Sequence, residues 1–298
     1  MKTAKIKAHA KINLTLEITG VDGGYHMLDS LVASVDLFDL VCLKKRKDKL
    51  SSVLIKGVGS DEIPPDNNAL KAAEAFSERF GVSGAEITIY RNIPVGAGLG
   101  SSSADIAGVL KGMAKLYGID LKEVESLAET LGCDTKYMIL GGFARMQGRG
   151  ERLTPIDFTG KLHMLCICPS TGVSAGGCYR RYDEGEKPAF ENATEKGIDA
   201  LLKGEIESFG KGLKNDLYPP ATALNPDVLK AYQEAESFSP LGVVMTGSGS
   251  AVLALFETKE LCEWAKSRYK GKFKTYVLET VTEKKEKFPN PFALNSTF

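Results

Sequence analysis

NIPVGAGLGSSSADIAGVLKGM, residues 92–113, is the stretch that decides the fold. It follows AEITIYR, residues 85–91, whose alternation of apolar and polar side chains predicts a β-strand. Glycines at 96, 98 and 100 come next, and the apolar spacing beyond them predicts a helix through about Tyr117. Because glycine loses more conformational entropy on folding than other residues, this order suggests a backbone that must curl around a ligand or approach it closely.

A phosphate group suits such a loop. Successive backbone N–H groups can converge on an anion, and the N-terminus of the following helix adds about half a positive charge. A Walker A loop is excluded because no lysine follows these glycines. A Rossmann loop is disfavoured because the acid at the expected distance, Asp120, precedes a helix instead of ending a strand. From the loop alone, a glycine-rich turn without a ligand stays open.

The composition gives no sign of a strongly charged partner. The chain has 298 residues, which suggests one large domain or two of ordinary size. Lysine plus arginine and aspartate plus glutamate number 38 each, so the charge predicts neither a nucleic acid nor a membrane as partner. No apolar run reaches the ~18 residues of a membrane span, and residues 1–20 lack the apolar centre of a signal peptide.

The six cysteines indicate a reducing compartment. They lie at positions 42, 133, 166, 168, 178 and 262 without a C-x-x-C pair, so neither a cysteine zinc site nor a disulfide framework is predicted. We therefore expect a cytoplasmic protein with reduced, mostly structural cysteines and no metal centre of its own.

Strands and helices mix without regular alternation, which favours an α+β fold over a doubly wound α/β fold. Helices are predicted after DNN (66–68), where Gly81 ends the first, from the N-cap Asp120, and over residues 195–213, 225–237 and 259–270. The tail, residues 283–298, is predicted to be loose. A boundary near residue 155 divides the chain into two domains, 1–155 and 156–298, each expected to have its own sheet.

Several motifs occur in the order typical of one family. PVGAGLGSSSAD, residues 94–105, resembles the phosphate loop of the GHMP kinases, which include galactose, homoserine, mevalonate and phosphomevalonate kinases. Further matches are AHAKINLTLEITG (8–20), GGYHML (23–28), DNNALKAAEAF (66–76), LGCDTKYMILGGFARMQGRGERL (131–153), STGVSAGGCYRRYD (170–183), NDL (215–217) and MTGSGSAVLALF (245–256). Each motif is weak alone, and the ordered set over about residues 4–280 carries the resemblance.

The resemblance implies a two-domain GHMP kinase fold. Its N-terminal domain is similar to domain 2 of ribosomal protein S5, and its C-terminal domain is ferredoxin-like. It also implies ATP and Mg²⁺, and phosphoryl transfer to a hydroxyl of a cytidine diphosphate sugar-alcohol. ATP and this small molecule are then the partners, and we expect a monomer or a weak homodimer.

The resemblance places the ATP phosphates against the loop and the helix that follows it. The ATP-binding residues it implies are Pro94, Gly96, Ala97, Gly98, Leu99, Gly100, Ser101, Ser102, Ser103 and, on the adenine side, Asn68. Asn68 is also a candidate N-cap of its helix, and the two roles are compatible. The serine hydroxyls can donate to the phosphates or reach Mg²⁺ through water.

The resemblance assigns catalysis to Asp134 and Lys11. Phosphoryl transfer needs a phosphate cradle, positive charge on the moving group, and a group that orients or deprotonates the acceptor hydroxyl. An aspartate after a glycine, such as Asp134, commonly caps the next helix, whereas the family motif makes it a base. Lys11 lies between apolar residues of a strand and either faces solvent or points inward toward a carboxylate or phosphate. The resemblance pairs it with Asp134.

The acceptor side is assigned in the same way. Asn13 shares a strand face with Lys11 and can bond the acceptor hydroxyl. By the resemblance, Tyr25 stacks on cytosine and His26 bonds the edge of the base, although an aromatic pair in a loop is often only packing. Either Tyr179 or Tyr182 supplies the opposite stacking face. TGSGSA, residues 246–251, either presses on the substrate or is merely a hairpin.

The chain departs from the family pattern at three places. Gly23-Gly24 stands where Asp-Gly is usual, Met27 where a glutamate follows the histidine, and residues 135–137 (TKY) where Val-Pro-Phe is usual. These changes fall near the acceptor and nucleotide sites and do not contradict the prediction of a kinase.

Three functions are compatible with these motifs: a kinase for the cytidine diphosphate alcohol, a GHMP kinase with another acceptor, and a nucleotide-binding regulator without catalysis. The glycine loop with Lys11 and Asp134 argues against the regulator, and GYH (24–26) favours the cytidine acceptor.

Overall fold

The structure is a computed structural model that describes residues 2–59 and 67–282. Its strands are β1 (Thr3–Asn13), β2 (Thr15–Asp22), β3 (Tyr25–Lys45), β4 (Ser52–Gly57), β5 (Ala85–Arg91), β6 (Phe143–Gly148), β7 (Arg152–Pro155), β8 (His163–Cys168), β9 (Lys214–Asn215), β10 (Gly242–Met245), β11 (Val252–Phe256) and β12 (Lys274–Glu279). Its helices are α1 (Asn68–Phe80), α2 (Ser101–Tyr117), α3 (Leu121–Leu131), α4 (Thr135–Leu140), α5 (Ala175–Glu184), α6 (Ala193–Lys203), α7 (Ile206–Lys211), α8 (Tyr218–Leu224), α9 (Pro226–Glu236) and α10 (Lys259–Arg268). This mixture confirms the α+β prediction.

The long strand β3 organises the first sheet. It pairs antiparallel with β1, β2, β5 and β6, while β4 runs parallel to β5 and β7 pairs with β6. Helix α2 packs across β1 and β3, and its glycines allow the close approach: a Cβ at Gly112 would lie 2.1 Å from the side chain of Leu43. The helix that begins at the phosphate loop is thereby fixed on the sheet.

The second sheet has the order β10-β11-β8-β12 and is antiparallel throughout. One face packs against α9 and α10 through residues such as Leu165, Val252 and Val228. The other face, with Cys166 and Leu253, joins the large core of the first half of the chain. This is the ferredoxin-like arrangement expected for the C-terminal half.

The chain passes from the first sheet to the second after Pro155. β7 ends there in the first sheet, and β8 begins the second at His163. β9, from the C-terminal half, nevertheless pairs with β2 in the first sheet. The expectation that each half keeps its own sheet is therefore wrong for β9, and the exact boundary stays a prediction.

Several local predictions can be compared directly with the structure. Gly81 ends α1 with φ 64°, and the side chain of Asp120 accepts a hydrogen bond from Lys122 N, so both predicted caps are confirmed.

The prediction of a single helix over residues 195–213 is wrong, because α6 ends at Gly204 in a left-handed conformation and a separate helix, α7, follows. Asn68 is not the N-cap of α1; Asn67 is. Helices α5 and α8 were not predicted, and the tail lies outside the described residues.

None of the helices in the described ranges is long and apolar enough to span a bilayer. All six cysteines are free in the structure.

Candidate active site

Three left-handed glycines shape the loop between β5 and α2. Gly96, Gly98 and Gly100 have φ values of 68°, 77° and 75°, which residues with a Cβ adopt only with strain. The side chains of Ala97 and Leu99, between them, are buried. The buried side chains of Ala97 and Leu99 therefore anchor the loop in the core, and the backbone bends at the glycines on either side of them.

The loop is also held by backbone hydrogen bonds from both halves of the protein. Leu99 O accepts from Lys11 N at 3.1 Å, and Ala97 O accepts from Ala251 N at 3.1 Å. A Cβ at Gly98 would lie 2.0 Å from Thr246 O, in the turn between β10 and β11. The protein's own packing therefore requires a glycine at 98, and its contact with a phosphate stays a prediction. The TGSGSA segment is a hairpin that also presses on the loop.

Helix α2 begins without a side-chain cap or an acidic residue in its first turn, so its first N–H groups are available to an anion. Ser101 is buried, and its Oγ has no hydrogen-bond partner among the described residues. Asn68 Nδ2 donates to Ser102 Oγ at 3.2 Å. Asn68 thus contacts the first turn of α2, and its role on the adenine side stays a prediction.

Lys11 points inward. It is a buried residue on β1, which excludes the solvent-facing alternative, and its Nζ lies 3.5 Å from Asp134 Oδ2. The ammonium also donates to Asn13 Oδ1 at 2.5 Å, while Asn13 Nδ2 donates to Ser30 Oγ at 2.8 Å. Asn13 therefore fixes the lysine and keeps one amide N–H for an acceptor hydroxyl.

Asp134 occupies the N-cap position of α4, but its side chain makes no capping hydrogen bond. Its carboxylate lies beside Lys11 in the cavity instead. The structure therefore disfavours the helix-cap interpretation of this residue.

Aromatic rings also line the cavity. His26 stacks on Tyr179 with centroids 4.8 Å apart and planes 23° apart, whereas Tyr182 meets His26 edge-on at 6.0 Å. His26 Nε2 lies 2.8 Å from Asp183 Oδ1 on α5. Tyr25 is 57% exposed, at the cavity mouth. Tyr179 lines the cavity and Tyr182 does not, so the geometry favours Tyr179 as the second stacking ring.

One cavity of about 660 Å³ is lined by both the charged pair and the rings, and its volume is within the usual range for small-molecule sites. Most of the predicted residues line it: Lys11, Asn13, Tyr25, His26, Gly96, Ala97, Gly98, Gly100, Ser101, Ser102, Ser103, Asp134 and Tyr179. Pro94, Leu99 and Asn68 do not. Leu99 instead faces the core.

Arg149 and Val95 are among the lining residues that were not predicted from the sequence. Arg149 lies in the cavity wall with its guanidinium 4.2 Å from the centre of the Tyr25 ring. Val95 is 54% exposed in the glycine loop. Arg149 stands within a quoted motif, where a cation between two glycines was the available signal.

The departures from the family pattern lie mostly outside the cavity. Tyr137 is fully buried, its hydroxyl donates to Gly142 O at 2.7 Å, and burial raises the pKa of its phenol. Lys136 donates to Glu129 on the surface. Neither they nor Met27 line the cavity, whereas Gly24 does, in the β2–β3 turn. Residues 135–137 therefore do not line the cavity.

The donor set fits a magnesium ion carried in on a nucleotide. The described residues contain no group of three or more His, Cys, Asp or Glu side chains that could hold a metal. The unpaired Ser101 Oγ and the Asp134 carboxylate are oxygen donors in one cavity. Mg²⁺ typically takes one or two such protein ligands and completes its shell with phosphates and water.

Comparison with known proteins agrees with this geometry. Residues 67–142 match the family described as "GHMP kinases N terminal domain", and residues 198–273 match "GHMP kinases C terminal". A protein of Caldicellulosiruptor saccharolyticus named 4-diphosphocytidyl-2-C-methyl-D-erythritol kinase is 35% identical over 284 residues, covering 93% of this chain and 97% of that protein. The chain belongs to the GHMP kinase family.

Two further GHMP kinases are similar to this chain. A protein of Carboxydothermus hydrogenoformans with the same name is 38% identical over 258 residues, covering 85% of this chain and 88% of its own. A crystal structure of 4-(cytidine 5'-diphospho)-2C-methyl-D-erythritol kinase has a TM-score of 0.78 and 29% identity, covering 94% of this chain and 100% of that one. As a GHMP kinase, the protein is an ATP-dependent small-molecule kinase.

Proposed function

We propose that the protein transfers the γ-phosphoryl group of ATP to a hydroxyl of 4-diphosphocytidyl-2-C-methyl-D-erythritol, in non-mevalonate synthesis of isoprenoid precursors. The observation that carries the proposal is one cavity lined by both the Lys11–Asp134 pair and the rings of Tyr25, His26 and Tyr179. The charged pair suits phosphoryl transfer, and the rings suit a nucleobase. The names of the similar proteins support this acceptor.

The charged pair and the glycine loop have separate roles in the proposed reaction. Asp134 accepts the proton of the acceptor hydroxyl as the oxygen attacks the γ-phosphorus, and Lys11 balances the negative charge that spreads over the phosphoryl oxygens. The amides of the glycine loop and the first turn of α2 bind the other phosphates. Ser101 and Asp134 would hold Mg²⁺, which, when bound with ATP, lowers the charge of the triphosphate.

The rings would hold the cytosine of the acceptor. Tyr25 and Tyr179 offer ring faces to cytosine, and His26 offers Nδ1 to its edge, because Nε2 contacts Asp183. Burial raises the pKa of Tyr179, so its phenol stays neutral across the physiological range. The cytoplasmic location and the monomeric or weakly dimeric state stay predictions.

An acceptor screen tests the proposal. Purified protein with ATP and Mg²⁺ is assayed for ADP release against 4-diphosphocytidyl-2-C-methyl-D-erythritol, the same alcohol without the cytidine diphosphate group, homoserine and mevalonate. We expect turnover with the first alone. Turnover that is faster with an acceptor lacking the cytidine group would assign the protein to another GHMP activity, and ATP binding without any turnover would favour a regulator.

A further inference from the structure

A buried acidic pair lies at the two ends of the phosphate loop, outside the cavity. Asp39 on β3 is completely buried, and Asp105 on α2 is 2% exposed. Arg91, the last residue of β5, donates to Asp105 Oδ2 through Nη2. The loop between Arg91 and α2 therefore starts and ends at a cluster of one cation and two carboxyl groups.

Asp39 holds the start of the loop by its backbone. Its Oδ1 accepts hydrogen bonds from Asn92 N at 2.6 Å and from Ile93 N at 2.9 Å. The side chain of Asn92 adds a bond from Nδ2 to Phe38 O at 3.0 Å. The residues that lead into the glycines are thus fixed on β3.

The remaining oxygens of the two carboxyl groups need a donor. Asp39 Oδ2 and Asp105 Oδ1 are buried and have no hydrogen-bond partner among the described residues. Burial and the neighbouring Asp105 charge raise the pKa of Asp39 well above its usual range, and burial raises that of Asp105 despite Arg91. Arg91, whose Nε is also buried without a partner among the described residues, brings one positive charge to two carboxyl groups. A hydrogen bond between the Asp39 and Asp105 side chains lowers the pKa of Asp105. One proton held between the two groups would remove one negative charge and supply this hydrogen bond.

We propose that Asp39 and Asp105 share one proton and act as a positioning pair that holds the two ends of the phosphate loop in the geometry that binds ATP. Asp39 fixes residues 92–93 before the glycines, and Asp105 lies in the second turn of the helix after them. Loss of the pair lets the loop amides diverge from the triphosphate while the acceptor end keeps its structure. The inference rests on the proposed function in that ATP occupies this loop.

Direct nucleotide binding tests the pair. Binding of a non-hydrolysable ATP analogue with Mg²⁺ is measured by calorimetry for the wild type, Asp39→Leu and Asp39→Asn, together with the KM of the acceptor. Leucine removes both acceptors, and we expect the analogue's Kd to rise about 10-fold or more with little change in acceptor KM. Asparagine keeps Oδ1 and replaces the shared proton with an amide N–H, so it should restore the Kd to within about threefold of wild type.

Asp29→Leu is the matched control. Asp29 is also a buried acid on β3, and it accepts two hydrogen bonds from Arg145 away from the loop. It should lose thermal stability without a selective change in analogue affinity. If Asp39→Leu does not fold, Asn92→Ala, which removes the second bond to β3, should raise the Kd by a smaller factor.

Each outcome separates the two proposals. A wild type that does not bind the analogue overturns the proposed function. Wild-type binding with an unchanged Kd in Asp39→Leu, or in Asn92→Ala where leucine unfolds the chain, overturns the positioning role. A rise in Kd with Asp39→Asn equal to that with leucine overturns the shared proton.

Discussion

Lys11 Nζ lies 3.5 Å from Asp134 Oδ2, with the lysine side chain 7% exposed and the aspartate 28%. The two residues come from β1 and from the turn before α4, and they meet beside the glycine loop. Asn13 Oδ1 takes a second hydrogen of the ammonium. Because an ammonium has three donors, one remains for a phosphate oxygen. The pair is therefore preorganised before any ligand binds.

Removal of the base is the first prediction. Asp134→Asn keeps the shape of the side chain but cannot accept the hydroxyl proton, and general-base catalysis is typically worth about 10²–10⁴ in rate. We expect kcat to fall by a factor in this range while the protein stays folded, because Asp134 makes no capping bond and Asn13 still accepts a hydrogen bond from Lys11. Steady-state kinetics and thermal unfolding measure both. Full activity in this variant would refute the base role.

The lysine provides the second prediction. Lys11→Met should lower kcat comparably, and the double variant with Asp134→Asn should lose less than the product of the two effects, since the pair acts as a unit. Methionine leaves Asn13 Oδ1 buried without its donor, which should cost about 1–3 kcal/mol in the free energy of unfolding. Multiplicative effects on kcat would show that the two residues act independently.

The sequence predicts the site better than it predicts its supports. The resemblance to the GHMP kinases pairs Lys11 with Asp134 beside the glycine loop, although the two residues lie far apart in the chain. The partner of Gly98 could not be found this way, since Thr246 meets it only through tertiary packing. The role of Asp39 could not be predicted from the sequence either. It is a single acid in a strand, and its hydrogen bonds from Asn92 N and Ile93 N form only through tertiary packing.

Secondary structure shows the same division. Gly81 and Asp120 were recognised because caps depend on the residue itself. α8 was missed because a Pro-Pro pair in its first turn looks like a loop, although proline is tolerated there. The choice between Tyr179 and Tyr182 also needed the fold, because both tyrosines lie on α5 and only their orientation relative to His26 separates them.

Variants of Gly96 and Gly98 distinguish the cost of backbone strain from the cost of a steric clash. Gly96→Ala and Gly98→Ala both place a Cβ at positive φ, which costs on the order of 1–3 kcal/mol. At 96 the nearest atom to that Cβ is Gly172 Cα at 3.5 Å, whereas at 98 it is Thr246 O at 2.0 Å. We expect the Gly98 variant to have the lower melting temperature and the larger rise in ATP KM. Equal melting temperatures would contradict the contact between the loop and the β10–β11 turn.

Base stacking is tested on Tyr179. Tyr179→Leu should raise the acceptor KM and leave that of ATP nearly unchanged, because a lost ring face costs about 1–3 kcal/mol, or about 5- to 150-fold in affinity. Tyr179→Phe keeps the ring and should recover most of this loss. Tyr182→Leu should instead lower thermal stability without a selective effect on the acceptor, since Tyr182 is buried outside the cavity. The reverse pattern would assign the stacking ring to Tyr182.

The acidic pair at the loop predicts a pH dependence of stability. The charged groups facing Asp39 are Asp105 from α2 and Arg91 from β5, and burial followed by the Asp105 charge raises the pKa of Asp39. The folded protein therefore binds this proton more tightly than the unfolded chain does. The contribution of this proton to the free energy of unfolding is complete below the unfolded pKa of about 4 and is lost as pH rises through the folded pKa.

Asparagine at 39 does not titrate, so the free energy of unfolding of the wild type minus that of Asp39→Asn should fall as pH rises. Urea unfolding of both proteins at several pH values measures the difference, and a difference that stays constant or grows with pH would exclude a proton held on Asp39.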